Sequence, residues 1–187
     1  NGNAGNLWAW GSLMFYGTDW KKFNTPSYDI VNTFNTENDN VRKNASILFS
    51  TNTVNWSDNY WQSNNFPFMY KMRITSGHQN FYVMRYADLL LIRAEALVRQ
   101  GNFTEAAALV NQVRARASST LAPITIANTD DGINKILKER KLELAFEGHR
   151  WFDLKRTGKA ISILSQQKNA QGNLLPYVNN LNQNRLL

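Results

Sequence analysis

The sequence contains no cysteine and only two histidines, His78 and His149. Without cysteine, these residues form no disulfide, no thiolate metal site and no cysteine nucleophile. Neither histidine belongs to an HExxH or Glu-x-x-His pair, so the usual helical zinc ligands are missing as well. Glu147 and His149 are too close in sequence to act as such a pair. His149, beside Gly148, reads as a hydrogen-bonded structural residue. No Gly-x-Ser-x-Gly, P-loop or dinucleotide-binding glycine pattern occurs, which leaves serine and phosphoryl-transfer chemistry without support. A run of about 18 apolar residues is also lacking, so no segment reads as a membrane-spanning helix. The longest apolar patch, Ala87–Ile92, is broken by Asp88. The opening residues, NGNAGNLWAW, include no initiator Met and no basic or apolar signal region, so a processed chain or an excised piece is expected.

What is present suits a globular chain. Of 187 residues, 43% are apolar and 19% charged, enough to build a sizeable core and too few charges for a disordered chain. The net charge of +7 would suit an anionic partner if it were segregated. It is not: along Lys135–Lys159 the cations alternate with Glu139, Glu143, Glu147 and Asp153, as on paired or solvated helix faces. No zinc-finger, helix-turn-helix or RNP pattern occurs, and nucleic acid is not expected as a partner.

The chain has two textures. Residues 1–80 are rich in Asn, Ser, Thr and Gly and read as long loops carrying a few strands and short helices. Ile47–Phe49 and Phe68–Arg73 are the candidate strands, separated by turn signals such as Asn64-Asn65. From Val83 a helical period takes over. Ala87, Leu90, Leu91, Ala94, Leu97 and Val98 form one apolar stripe, and Gly101-Asn102 supplies a stop. Thr104 is placed to cap a second helix, so the two should fold back as a hairpin resembling one tetratricopeptide unit. Leu121–Thr129 is a connector. Asp130 or Asp131 should then cap a third helix with Ile133, Ile136, Leu137, Leu144 and Ala145 on its apolar side. Trp151, Phe152 and Leu154 restart a helical pattern after Gly148 that runs through Ile161 and Leu164. The segment 81–165 is therefore the helical part, and 166–187 an irregular tail.

Two groups of residues offer chemistry. Glu139, Glu143 and Glu147 recur every four residues, and paired carboxylates can cleave glycosides. Each has a basic neighbour at helical spacing, Lys135, Arg140 and Arg150 in turn, which points to ion pairs. The aromatic residues of the first half carry the sharper signal. Trp8, Trp10 and Trp20 lie in a Gly/Asn-rich stretch, and Trp56, Tyr60 and Trp61 lie in TNTVNWSDNYWQSNN. Rings among amides and hydroxyls suit saccharides, since a ring packs on the C–H face of a sugar while amides bond its hydroxyls. The same rings suit a protein interface or a small core.

Four stretches together resemble the SusD/RagB family. FYVMRYADLLLIRAEALVRQGNFTEAAALVNQVRARA is similar to its signature helix pair, and ILKERKLELAFEGHRWFDLKRTGK to its ER-x-x-E-x-x-F-E-G-x-R-W-x-D-L-x-R hallmark. YDIVNTFNTENDNVRKNASILF resembles a segment ending in Asp-x-Arg, although Asp39-Asn40-Val41-Arg42 carries an insertion. PFMYKMR resembles a following extended piece, and the tail LLPYVNNLNQNRLL departs from the family's Pro-rich ending.

The resemblance implies a mainly α fold with tetratricopeptide-like helices and long aromatic-rich loops. It implies that residues 1–187 are the C-terminal portion of a longer protein. Such a protein is a non-catalytic lipoprotein on the surface of the outer membrane of Bacteroidetes-type bacteria, held by a lipid anchor on its N-terminus. It captures oligosaccharides, polysaccharides or peptides for a SusC-like TonB-dependent transporter, with no cofactor and no metal expected. In this reading Arg140, Glu143, Glu147, Arg150 and Asp153 form a structural ion network, and the ligand-facing residues are sought among Trp8, Trp10, Trp20, Trp56, Tyr60 and Trp61. Two other readings stay open: a helical-repeat scaffold for the transporter, and a glycosidase using Glu139 or Glu143.

Overall fold

The structure is a computed structural model, described here for residues 26–50, 66–71 and 82–181. In chain order the described elements are helices α1 (Tyr28–Thr36) and α2 (Asn40–Ser46), then strands β1 (Ile47–Ser50) and β2 (Phe66–Met69). Helices α3 (Tyr86–Arg99), α4 (Phe103–Ala117), α5 (Thr129–Glu143), α6 (Arg150–Arg156) and α7 (Ala160–Leu164) follow, and a 3-10 turn spans Pro176–Asn180. The fold is mainly helical. None of these helices is long and apolar enough to cross a membrane.

The chain divides into two compact units. The first, residues 34–42 and 81–153, holds the helical core. Ala87, Leu90, Leu91, Ala94, Leu97 and Val98 of α3 are buried against Ala106, Val110 and Val113 of α4 and Ile133, Ile136 and Leu137 of α5. The apolar stripe read from the sequence is thus the face that packs. Each buried Leu, Ile or Val among them contributes about 1.5–3 kcal/mol by leaving water.

The hairpin turns where the sequence carries its stop signal. Gly101 has φ +82°, the amide of Asn102 donates to Leu97 O at 2.9 Å, and that of Gly101 donates to Val98 O at 3.1 Å. This is the two-bond Schellman closure, which uses a residue free to take positive φ. Helix α4 then starts at Phe103, with Asn102 as its N-cap, two residues before the expected cap Thr104. The Schellman bonds already fix the chain direction, and neither side chain has to start the helix.

Helix α5 also begins earlier than its acidic residues suggest. Asn128 is the N-cap and accepts from Asp131 N at 3.0 Å, while Asp131 Oδ2 accepts from Ala127 N at 2.9 Å. Asp131 thus gives its amide to the cap and takes the amide of Ala127, the residue before the cap, on its carboxylate. Leu144 and Ala145 are buried beyond the helix end at Glu143. Ahead of α5, the connector is tied down by Asn111, whose side chain accepts from Ile124 N at 2.7 Å and donates to Ile124 O at 2.9 Å.

The second unit comprises residues 1–33, 43–80 and 154–187. Its strands pair antiparallel, Ile47 opposite Met69 and Phe49 opposite Pro67, and Tyr70 N donates to Ser46 O at 2.8 Å. Strand β2 starts two residues before the expected Phe68 because this register reaches Phe66. Pro67 is tolerated since a two-stranded ribbon has only edges. From Met72 the expected strand lies outside the described residues. The helical pattern after Gly148 is also two helices, not one, broken at Gly158, where φ is +68°. In the tail, Asn169 Oδ1 accepts from the amides of Gln171 and Asn173, closing a turn between bridged Lys168 and Leu174.

Candidate functional site

The chemistry-bearing residues of the first unit gather in an ion network that draws on six parts of its sequence. Glu37 and Asp39 follow α1, Arg42 lies on α2, Arg85 precedes α3, Arg114 and Arg116 end α4, and Lys138, Glu139 and Glu143 lie on α5. Glu147 belongs to the turn after α5.

Glu139 sits at the centre, 1% exposed, and receives Arg42 Nη1 at 2.6 Å and Arg114 Nη1 at 2.9 Å. Arg42 also pairs with Asp39 and reaches Glu143 at 3.2 Å. Glu143, equally buried, takes Arg85 Nη1 at 3.0 Å and Arg116 Nη2 at 2.7 Å. Arg85 further holds Glu147 through Nε and Nη2, both at 2.8 Å. Arg114 extends the set to Glu37 at 3.0 Å, which also meets Lys138, and donates to Ala122 O from Nε and Nη2. Glu37, Asp39, Glu139, Glu143 and Glu147 thus balance Arg42, Arg85, Arg114, Arg116 and Lys138. Buried charges require such matching, since an unmatched one is expelled at high cost.

A second cluster is anchored by Arg140, which donates to Asp88 at 2.6 Å and to Asp153 at 2.8 Å. All three side chains are at most 4% exposed. Arg150, half-buried, donates to Leu137 O at 3.1 Å.

Electrostatics follow the geometry. Burial alone would push Glu37 up, but Lys138 and Arg114 outweigh it and hold its pKa below the usual glutamate value. Burial opposes the charge of Arg42, yet Glu139 and Asp39 dominate and raise its pKa. Arg85 is raised in the same way by Glu147 and Glu143.

Several sequence expectations change here. Glu139 pairs with Arg42 and Arg114, while its helical neighbour Lys135 turns to Asp131 at 2.8 Å. Arg140, the expected helical partner of Glu143, binds Asp88 and Asp153, and Glu143 is held from other elements. Both carboxylates point inward, and so their partners come from across the packing interface. Sequence reading missed Arg42, Arg114 and Glu37 as network members. One signal was available: Arg114 falls on the same stripe as Val110 and Val113, an apolar face where a cation needs a buried partner.

In FYVMRYADLLLIRAEALVRQ, Arg85 and Asp88 reach α5 and the turn after it. Arg93 bonds Glu105 at 2.6 Å on the surface, and Glu95 bonds Arg99 one turn on at 2.9 Å. The aromatic candidates Trp8, Trp10, Trp20, Trp56, Tyr60 and Trp61 all lie outside the described residues.

Two concavities lie on the first unit. One of about 290 Å³ is lined by Phe103, Ala107, Asn111, Ile124 and Ile126, and one of about 260 Å³ by Arg85, Tyr86, Leu90, Gln112 and Arg116. Both fall below the range of about 300–1,000 Å³ usual for ligand pockets. Among the described residues no group of three or more His, Asp or Glu is arranged to hold a metal.

Comparison with known proteins places this architecture. The profile of the SusD family matches residues 8–185. SusD-like protein P38 of Formosa agariphila is 47% identical over 92 residues, 46% of this chain and 18% of that protein. SusD-like protein P2 of the same organism is 46% identical over 85 residues, 41% of this chain and 17% of that protein. The matched stretches thus span under a fifth of those relatives. A crystal structure of a SusD superfamily protein from Bacteroides vulgatus superposes with TM-score 0.61 at 22% identity, over 76% of this chain and 35% of that one. At that identity the likeness speaks for the fold.

Proposed function

The chain belongs to the SusD family, and from that premise we propose that it is part of a non-catalytic nutrient-binding protein of the bacterial cell surface. The protein captures oligosaccharides and passes them to a SusC-like TonB-dependent transporter. A lipid anchor outside these residues holds it to the outer membrane.

One observation carries the non-catalytic part of the reading. A glycosidase needs two carboxyl groups open to the sugar, one to protonate the leaving oxygen and one to act as nucleophile or base. Glu139 and Glu143 are buried, and their oxygens are occupied by Arg42, Arg114, Arg85 and Arg116. A carboxylate locked between guanidinium groups has neither access to substrate nor freedom to move a proton. The same pairs suit a scaffold that holds binding loops in place.

Stacking on sugar is assigned to Trp8, Trp10, Trp20, Trp56, Tyr60 and Trp61, on the chemistry of rings set among amides and hydroxyls. Isothermal titration of the full-length protein against a panel of glycans tests the reading. Binding without turnover is expected, with Trp56→Ala or Trp61→Ala weakening affinity by about tenfold, equivalent to about 1.4 kcal/mol. No binding to any glycan, or turnover of any glycan that binds, would count against it.

A further inference from the structure

The turn that leaves α5 has a backbone its sequence does not favour. Glu147 N donates to Leu144 O at 3.1 Å, closing a four-residue turn with Phe146 in third place. Phe146 has φ +65°, a setting that glycine or asparagine usually fills at that place. Among the described residues, the other non-glycine residue at positive φ is Asn38, of a type that tolerates it. For a bulky side chain the left-handed setting is strained, and such strain persists only where surrounding bonds over-determine it.

Arg85 supplies such bonds, because its side chain spans the turn from end to end. At the near end Nη2 donates to Glu143 O and Nη1 to Glu143 Oε1, both at 3.0 Å. At the far end Nε and Nη2 donate to the two carboxylate oxygens of Glu147, both at 2.8 Å. Glu143 O is among the last carbonyls of α5, which the helix itself leaves without an amide donor. A guanidinium group is a rigid planar fork, so it holds residues 143 and 147 at one separation.

The staple comes from elsewhere in the unit. Arg85 lies 58 residues before Glu143, in extended backbone at the N-cap position of α3. Its side chain is 24% exposed, against 2% for Glu143 and 1% for Glu147, so the cation is the outer member of the set. A pull on the chain ahead of α3 therefore acts first on Arg85.

We propose that residues 144–147 form a strained two-state turn latched by Arg85, through which the chain entering α3 controls the chain leaving α5. With the latch engaged, the turn keeps Phe146 at positive φ. With the latch released, Phe146 returns to negative φ and the turn opens, while α6 stays attached to α5 through Asp153 and Arg140.

Hydrogen exchange of the full-length protein that carries this sequence, read by mass spectrometry, tests the latch. Peptides covering residues 144–149 report the turn, and peptides covering residues 97–103 report the hairpin turn at Gly101 as a reference. Arg85→Met should speed exchange of the first by about tenfold and leave the second nearly unchanged, as local opening does. Arg85→Lys, which keeps the charge and loses the fork, should do the same and serves where Arg85→Met does not fold. The strain is read separately with Phe146→Gly and Phe146→Ala, which both lose the ring and differ in their tolerance of positive φ. With Arg85 in place, the turn should exchange about threefold slower in Phe146→Gly than in Phe146→Ala. In the Arg85→Lys background that difference should vanish. Equal acceleration of both peptides, or of neither, would overturn the proposal. So would a glycine advantage that survives the loss of Arg85, or one absent from both backgrounds.

Discussion

Arg42 and Glu139 meet at 2.6 Å although 97 residues separate them in sequence. Both are buried, and the contact joins the start of α2 to the centre of α5. Glu139 also holds Arg114, so a single carboxylate ties residues of α2, α4 and α5 together. Removing one member of a buried charge set leaves its partners unmatched.

Glu139→Ala is therefore expected to destabilise the fold by about 3–5 kcal/mol, since two guanidinium groups lose their counter-charge together. Urea unfolding should show a lower midpoint. In a cycle with Arg42→Met, the double variant should lose less than the sum of the singles by more than about 0.5 kcal/mol. Simple additivity would mean that the pair does not interact.

Arg140 and Arg93 separate burial from charge. Arg140 bridges Asp88 and Asp153 in the interior, whereas Arg93 meets Glu105 where both side chains are more than half exposed. Arg140→Ala should cost about 3–5 kcal/mol and Arg93→Ala about 0–1 kcal/mol, because water already screens the surface pair. Equal losses in thermal unfolding of the two variants would refute this ranking.

Gly132 lies where α5 packs on Val98 of α3. A Cβ added there would lie 2.7 Å from Val98 Cγ2, 2.8 Å from Val98 Cγ1 and 2.9 Å from Ile126 Cγ2. Gly132→Ala is a helix-favouring change that should nevertheless destabilise by about 1–3 kcal/mol through overpacking. Val98→Ala in the same molecule should relieve part of that loss, read as positive coupling in a denaturation cycle. A more stable Gly132→Ala protein would show that the helices are not so tightly apposed.

Glu37 gives the network an acid-sensitive edge. Its folded pKa lies below the ordinary value of 4.5 because Lys138 and Arg114 favour its charged form over the opposing effect of burial. A depressed carboxyl contributes stability that is complete above the unfolded pKa and is lost as pH falls through the folded one. Stability should thus decline below about pH 4.5, with Glu37→Gln showing a shallower decline over that interval. Melting temperatures measured down the acid range would decide it, and identical slopes would remove Glu37 as a contributor.

What the sequence carried is easiest to see along α3 and α4. The apolar stripe, the Gly101 stop and the helical hairpin are local properties, written at spacings of three and four residues, and they could be read without a structure. The family could be read as well, because its motifs are short and contiguous. The mainly helical fold follows from both.

Tertiary structure decided the pairing of charges. Helical spacing offered Lys135 to Glu139 and Arg140 to Glu143, and those neighbours went elsewhere. A carboxylate turned into the core can meet only what packs against it, and that depends on which helices adjoin. Arg42 and Arg114 reach Glu139 from other elements, at separations no local pattern encodes. Helix starts moved for a related reason: backbone bonds at Gly101, and the bonds that tie Asp131 to Asn128 and Ala127, set the chain direction before the expected caps were reached. Sequence alone determined the α3–α4 hairpin and the family to which the chain belongs. Only packing decided which charges are buried together, because burial makes the choice of partner a matter of several kilocalories.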